Sequence, residues 1–358
     1  MFESITRPTL VINKSIAIAN IIRMAGKAKQ NKVRFRPHFK THQSGVVGEW
    51  FREAGIHAIT VSSVSMAEYF ADNGWQDITV AFPANIREID NINNLAGKIQ
   101  LQLLVESVET VRFLENYLKH DVNAWLKIDT GYHRTGILWQ DASQLLAVSN
   151  EIEKSRHLKL SGALTHPGHT YAADSTQQVE SIYRETAARL QQVRETFSEA
   201  GLPKIEISIG DTPSNAIVAD YGDIDEIRPG NFVFFDMMQV CIGACREADI
   251  ACAIACPVVA KHPERGEIIL YGGAVHLSKD AWNIGGQQSF GLVALPAANG
   301  WGTSLPDTYL KGMSQEHGIV RTTGEVMEKV NIGDLMMVLP VHSCLAADLL
   351  KDQVYIIE

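Results

Sequence analysis

Cysteine is scarce in this sequence: five in 358 residues, an odd number, which excludes a disulfide-stapled scaffold. Long apolar runs are missing too. The charge-free stretch 281–306 is interrupted by Gly, Asn, Gln and Pro, so it does not supply the roughly 20 apolar residues of a membrane span. The opening Met1-Phe2-Glu3-Ser4-Ile5-Thr6-Arg7-Pro8 has no basic segment leading into an apolar one, and no secretory signal is expected. Positive charge is not in excess. The 32 Lys and Arg stand against 41 Asp and Glu, a net −9 that offers no footprint for nucleic acid or anionic lipid. What remains is 46% apolar and 20% charged residues, the composition of an ordinary globular protein, with a length suggesting roughly two domains. The expectation is a soluble cytoplasmic enzyme without nucleic-acid or membrane partners.

Short β-rich runs alternate with helical spacing through the first two-thirds. Candidate strands lie at 33–39, 58–63, 78–82, 100–105, 123–129, 159–166, 205–210 and 226–231. Between them, Val108-Val111-Leu114-Leu118 and Ile182-Ala187-Leu190-Val193-Phe197 repeat at helical intervals. Eight strand–helix units in this length predict a (β/α)8 TIM-type barrel. An open doubly wound sheet is the alternative, though no glycine-rich fingerprint follows the first strand. After about Phe235 the texture turns to short β runs at 268–271, 335–341 and 354–357, with turns at Gly272-Gly273, Gly285-Gly286 and Gly333-Asp334. The predicted domains are an α/β barrel over 8–235 and a mostly β C-terminal domain over 236–358, joined by residues 1–7.

In such a barrel the active site forms at the C-terminal strand ends. The first strand ends in Arg36-Pro37-His38-Phe39-Lys40-Thr41-His42 and the fifth in Lys127-Ile128-Asp129-Thr130-Gly131-Tyr132-His133-Arg134. The sixth gives Thr165-His166-Pro167-Gly168-His169-Thr170-Tyr171, the seventh Ser208-Ile209-Gly210-Asp211-Thr212, and the eighth Arg228-Pro229-Gly230-Asn231. One mouth thus collects a lysine, arginines, histidines and two Gly/Ser/Thr loops suited to a phosphate. A lysine facing a phosphate site suggests a Schiff base to pyridoxal phosphate (PLP).

At these residues the chain resembles the alanine-racemase-type (fold type III) PLP enzymes, and within them the D-threonine aldolase and D-serine dehydratase branch. The resemblance implies Lys40 as the PLP lysine, Arg134 near the phenolic oxygen, His166 against the ring and Arg228 near the pyridine nitrogen. It implies phosphate contacts at Ser208, Gly210, Thr212, Gly230 and Asn231, with Tyr171 also at the cofactor, and a homodimer. Gln43 departs from the lysine of many relatives.

His342-Ser343-Cys344 closes the run 335–341. On an extended chain, residues i and i+2 project to one side, and an imidazole with a thiol suits zinc, other divalent ions being possible. The pair resembles the metal ligands of the branch's dehydratases, whereas its aldolases carry Asp in place of Cys344. The implied activity is PLP- and metal-dependent elimination of the β-hydroxyl of a D-3-hydroxy amino acid. D-Threonine-type retro-aldol cleavage is the nearest alternative, with a racemase or a non-catalytic PLP carrier more distant. Cys241, Cys245, Cys252 and Cys256 lack zinc-knuckle spacing and read as buried thiols. His276 reads as structural, and Trp282 and Trp301 as core packing or a cover for the site.

Overall fold

The structure, a computed structural model, describes residues 2–284 and 286–358. Chain contacts divide it into two units. One comprises Arg23–Lys40 and Ser44–Gly230; the other comprises Met1–Ile22, Thr41–Gln43 and Asn231–Glu358. This division runs differently from 8–235 and 236–358, because Thr9–Asn13 pairs antiparallel with Cys252–His262 and parallel with Val354–Ile357.

The first unit holds a parallel sheet in the order Arg34–Phe35, Glu226–Ile227, Glu206–Ile209, Leu158–Thr165, Val122–Asp129, Gln100–Val105, Asp77–Pro83, Ala58–Val61. A bridge between His38 and Thr60 brings its two edges together, giving the expected, nearly closed barrel. The first and eighth strands are shorter than their sequence runs suggest. Pro37 and Pro229 follow them, and proline has no N–H for a ladder. Serines 44, 63, 107 and 175 cap the helices that follow strands or loops, so each helix starts at a defined point. The stripe Val179, Tyr183, Leu190, Val193 and Phe197 of the helix Thr176–Glu199 is buried, as its spacing requires. Phe39, fully buried, lies 4.9–5.0 Å from the rings of Phe51, Phe70 and Trp75. That packing anchors the backbone on which Lys40 follows.

The second unit holds an eight-stranded sheet with Leu335–Pro340 beside Cys252–His262. Met336, Met337, Val338, Cys252 and Cys256 are fully buried there, and all five cysteines are free thiols. Gly333 takes φ 93° and Gly286 φ 84° in turns; Gly285 lies outside the described residues. Trp282 and Trp301 sit in short hairpins and are half-buried, so neither is a core residue. Among the described residues no helix is long and apolar enough to cross a membrane.

Candidate active site

In the barrel unit, the amide of Lys40 donates to His38 Nδ1 at 3.3 Å. Burial pushes the His38 pKa well below the imidazole range, and the charges of Lys40, Arg228 and Arg134 add to this. His166 is lowered in the same way by burial, then by Lys40 and Arg134. Its Nδ1 donates to the Gly210 carbonyl, a carbonyl being acceptor only. Two neutral imidazoles therefore stand near the lysine.

Arg228 is held rigidly. Nε donates to Ser208 Oγ at 2.7 Å and Nη2 to Thr165 O at 2.6 Å. Burial lowers its pKa to about 10, with Glu226 opposing the shift. A Cβ on Gly210 would stand 2.8 Å from Arg228 Nη1, so only glycine lets the guanidinium lie there. Ser208 in turn donates to Glu226 Oε1 at 2.8 Å. Its hydroxyl thus bridges Arg228 and Glu226. Glu226 accepts from Arg36 Nε at 2.9 Å, and Arg36 continues to Asp77, Gln102 and Trp125 at 2.6–2.7 Å per step.

Arg134 is exposed and lies 5.2 Å over the Tyr132 ring. Its loop wraps the Asp129 carboxylate, which accepts from Gly131 N, His133 N and His133 Nδ1 at 2.9–3.0 Å. His133 takes φ 56° to do so, an uncommon conformation for a side-chain-bearing residue. The amide of Thr212 donates to the Tyr171 hydroxyl at 3.2 Å, so those two residues do meet. Asp211 caps the helix Thr212–Ile217 through Ser214 N and also accepts from Thr170; burial raises its pKa to about 6.

In the second unit, His342 and Cys344 are not on an extended run. His342 is the N-cap, and Cys344 lies in the first turn, of the helix Ser343–Leu349. The side chains lie near one another all the same: Asn231 Nδ2 is 3.8 Å from Cys344 Sγ and 2.6 Å from Asp236 Oδ2, which stands 3.3 Å from His342 Nδ1. Cys344 Sγ also lies 3.1 Å from Thr41 Oγ1. Asp236, fully buried, accepts from Gln239 N at 3.0 Å, Ser343 N at 2.9 Å and Asn231 Nδ2 at 2.6 Å. Its Oδ2 stands 3.3 Å from His342 Nδ1. The Asn231 amide nitrogen therefore belongs to this cluster. Asn231 Oδ1 is buried with no donor among the described residues. An imidazole, a thiol and an orphan carbonyl oxygen in one place suit a cation. Among the described residues no group of three or more His, Cys, Asp or Glu could hold one, so the remaining positions would fall to water or substrate.

Residues 12–237 match the family described as "Alanine racemase, N-terminal domain", and residues 251–357 a "Putative serine dehydratase domain". The chain is 30% identical to D-threo-3-hydroxyaspartate dehydratase of Delftia sp. (strain HT23), over 94% of this chain and 90% of that protein. The chain belongs to the alanine-racemase-type PLP enzymes. A D-serine dehydratase of Dictyostelium discoideum is 27% identical over 98% of this chain and 93% of its own length. The solved Delftia enzyme superposes with a TM-score of 0.89 at 28% identity, covering 97% and 93% of the two chains. A cysteine-to-alanine mutant of that enzyme, in a metal-free form, matches equally well.

Within this alanine-racemase-type chain, the barrel brings together Lys40, His166, Arg228, Gly210 and, through charge, Arg134. A cationic group around a lysine fits a phosphorylated, carbonyl-bearing cofactor. Four neighbours were not assigned from the sequence. His38 stands two residues before Lys40, past the end of the first strand, and its ring accepts the Lys40 N–H across the turn. Lys127 is buried and lowered to about 7, first by burial, then by Arg228 and Arg134. Thr41 lies in the Lys40 segment but was given no role, and Asp236 carries no motif beyond the capping signal of Asp before the helix Met237–Ile242. His276 bonds Gly273 N and faces Glu316 at 3.7 Å. Gln43 bonds Asp348 at 2.8 Å.

Proposed function

We propose that this chain is a PLP- and metal-dependent lyase that expels the β-hydroxyl of a D-3-hydroxy amino acid, of the D-serine or D-3-hydroxyaspartate type, yielding a 2-oxo acid and ammonia. The observation that carries this reading is the gathering of the His342 imidazole and the Cys344 thiol around Asn231 and Asp236. The resemblance places aspartate at the second position in aldolases. Similarity to two dehydratases along nearly the whole chain supports it.

When bound, PLP supplies an electron sink for charge developing at Cα, and zinc or another divalent ion supplies a Lewis acid for the β-oxygen. Lys40 would hold the cofactor and take the Cα proton on Nζ. Its neighbours His38 and His166 are neutral, so neither adds a positive charge beside that amine. Arg228, immobilised by Ser208 and Thr165, would face the ring nitrogen, and Arg134 the phenolic oxygen. The segments of Gly210, Thr212, Gly230 and Asn231, with Ser208 and Tyr171, would line the phosphate. His342 and Cys344 would hold the ion. We also assign the protein to the cytoplasm as a homodimer, consistent with five free thiols and the family resemblance.

The test is incubation of the PLP- and zinc-loaded protein with D-serine, D-threonine and D-3-hydroxyaspartate. A 2-oxo acid with ammonia, formed from the serine or aspartate substrate, supports the reading. Glycine with an aldehyde as the main products would replace it with aldol cleavage.

A further inference from the structure

The ion-pair distance between Asp236 and His342 concerns a residue with no role so far. Asp236 is completely buried, and a carboxylate in such a place is costly unless its oxygens are satisfied. Oδ1 takes the Gln239 N–H, and Oδ2 takes the Ser343 N–H and the Asn231 amide. These three bonds lock the carboxylate in one orientation. In it, Oδ2 stands 3.3 Å from His342 Nδ1, an ion-pair distance rather than an aligned hydrogen bond.

We propose that Asp236 is a positioning residue that holds the proton of His342 on Nδ1 and so presents Nε2 to the metal ion. The inference rests on the metal-dependent reading above. Its physical basis is that a carboxylate oxygen attracts a proton on the imidazole nitrogen beside it, which favours the tautomer protonated at Nδ1. A neutral imidazole carries one N–H and one lone pair, which leaves the lone pair on Nε2. A carboxylate behind a ligating histidine fixes ring orientation and tautomer together, and losing such a partner typically weakens metal binding about 10–100-fold. The geometry also explains why the helix Ser343–Leu349 begins where it does. The Ser343 N–H, at the helix start, is taken by the same carboxylate oxygen that faces the preceding imidazole. One group thus sets the backbone and the side chain of the ligand pair.

Asn231 strengthens the assignment. Its Nδ2 bridges Asp236 Oδ2 and Ser343 Oγ at 2.6 and 2.8 Å and lies 3.8 Å from Cys344 Sγ. The carboxylate, the amide and both candidate ligands therefore form one connected group.

The experiment uses the PLP-loaded full chain. Zinc affinity is measured by competition with a chelating indicator for the wild type, Asp236→Asn and Asp236→Glu, with the PLP absorbance recorded in parallel. A drop of about 10–100-fold in Asp236→Asn, with the PLP band intact and partial recovery in Asp236→Glu, supports the proposal. Unchanged affinity in a folded Asp236→Asn protein overturns it. The wild type carries a second test, independent of whether the variants fold. In 15N-histidine-labelled, 113Cd-loaded protein, with the His342 signal assigned by its loss in His342→Gln, the metal coupling must appear on Nε2 and the proton on Nδ1. Coupling on Nδ1 overturns the proposal. Wild-type protein that binds no zinc, or binds it equally without Cys344, removes the metal-dependent reading itself and this inference with it.

Discussion

Arg228 is tied to Glu226 through a single hydroxyl: Ser208 Oγ accepts from Arg228 Nε at 2.7 Å and donates to Glu226 Oε1 at 2.8 Å. The serine sits directly across the ladder from Glu226. Arg228 therefore keeps its place by a chain that continues through Glu226 to Arg36 and Asp77.

Removing links from this chain should cost stability in a definite order. Ser208→Ala strands a buried guanidinium nitrogen and a carboxylate oxygen, at about 1–3 kcal/mol. Glu226→Gln removes the counter-charge shared by buried Arg36 and Arg228, leaving Arg36 with Asp77 alone, and should cost more, about 3–5 kcal/mol. Urea unfolding of the two variants checks the ranking. A Glu226→Gln protein as stable as Ser208→Ala would show that the carboxylate contributes little charge compensation.

Lys40→Ala should keep weak PLP binding through the remaining contacts while turnover falls about 10²–10⁴-fold or more, the range for a lost general base. In the parent protein, borohydride should fix the cofactor to Lys40, as read by peptide mapping. A pyridoxyl group found on another lysine would end the assignment.

Cys344→Ala should lose zinc and elimination together and leave the PLP absorbance nearly unchanged, because the candidate ligands and the barrel residues are separate sets. Exchange of the substrate Cα proton with solvent should survive better than elimination. Cys344→Asp, with a harder oxygen donor, should shift preference toward Mn or Mg and raise the ratio of glycine to 2-oxo acid. Full elimination by rigorously metal-free protein would return His342 and Cys344 to ordinary packing.

Lys127 gives a pH signature. Burial, then Arg228 and Arg134, lower it from 10.5 to about 7. Between those values the unfolded chain binds a proton that the folded chain does not. Stability therefore rises with pH across the window, by up to about 1.4 kcal/mol per pH unit. Below pH 7 both states are protonated, and the full penalty is constant. Lys127→Met should flatten the rise of the urea midpoint from pH 7 to 8. Lys27, lowered to about 8 by burial, keeps part of the slope above that range. A wild-type slope in Lys127→Met would show that the lysine is not suppressed.

The eight barrel strands were legible because each is a short apolar run bounded by turn or capping residues. Lys40 draws attention as a lysine just past a strand, and the resemblance of its segment gives it a role. The partners of the Ser208 hydroxyl were not legible, because they depend on cross-strand register, which brings Glu226 opposite it, and local sequence carries no register. Nor was the cluster around the Asn231 side chain, because the chain leaves the barrel unit between Gly230 and Asn231, and no composition change marks that step. His342 and Cys344 come near one another on a geometry other than the extended one expected. The strand ends at Pro340, and a helix begins at Ser343, so capping by Asp236 brings the side chains together where alternation along a strand would not.

The pairing of Leu10 with Val354 and of Val11 with Ala253 has a consequence for how the chain acquires its structure. Residues 9–13 find their neighbouring strands more than 200 positions later in the chain, whereas each barrel strand pairs with others between 34 and 227. Such non-local contacts are slow to form, and domains tend to fold as units in order of synthesis. Thr9–Asn13 must therefore wait as an unpaired, apolar strand while the barrel closes around the residues that follow it. In refolding followed by pulsed hydrogen exchange, amides of Leu10 to Ile12 should gain protection after those of Val122–Asp129.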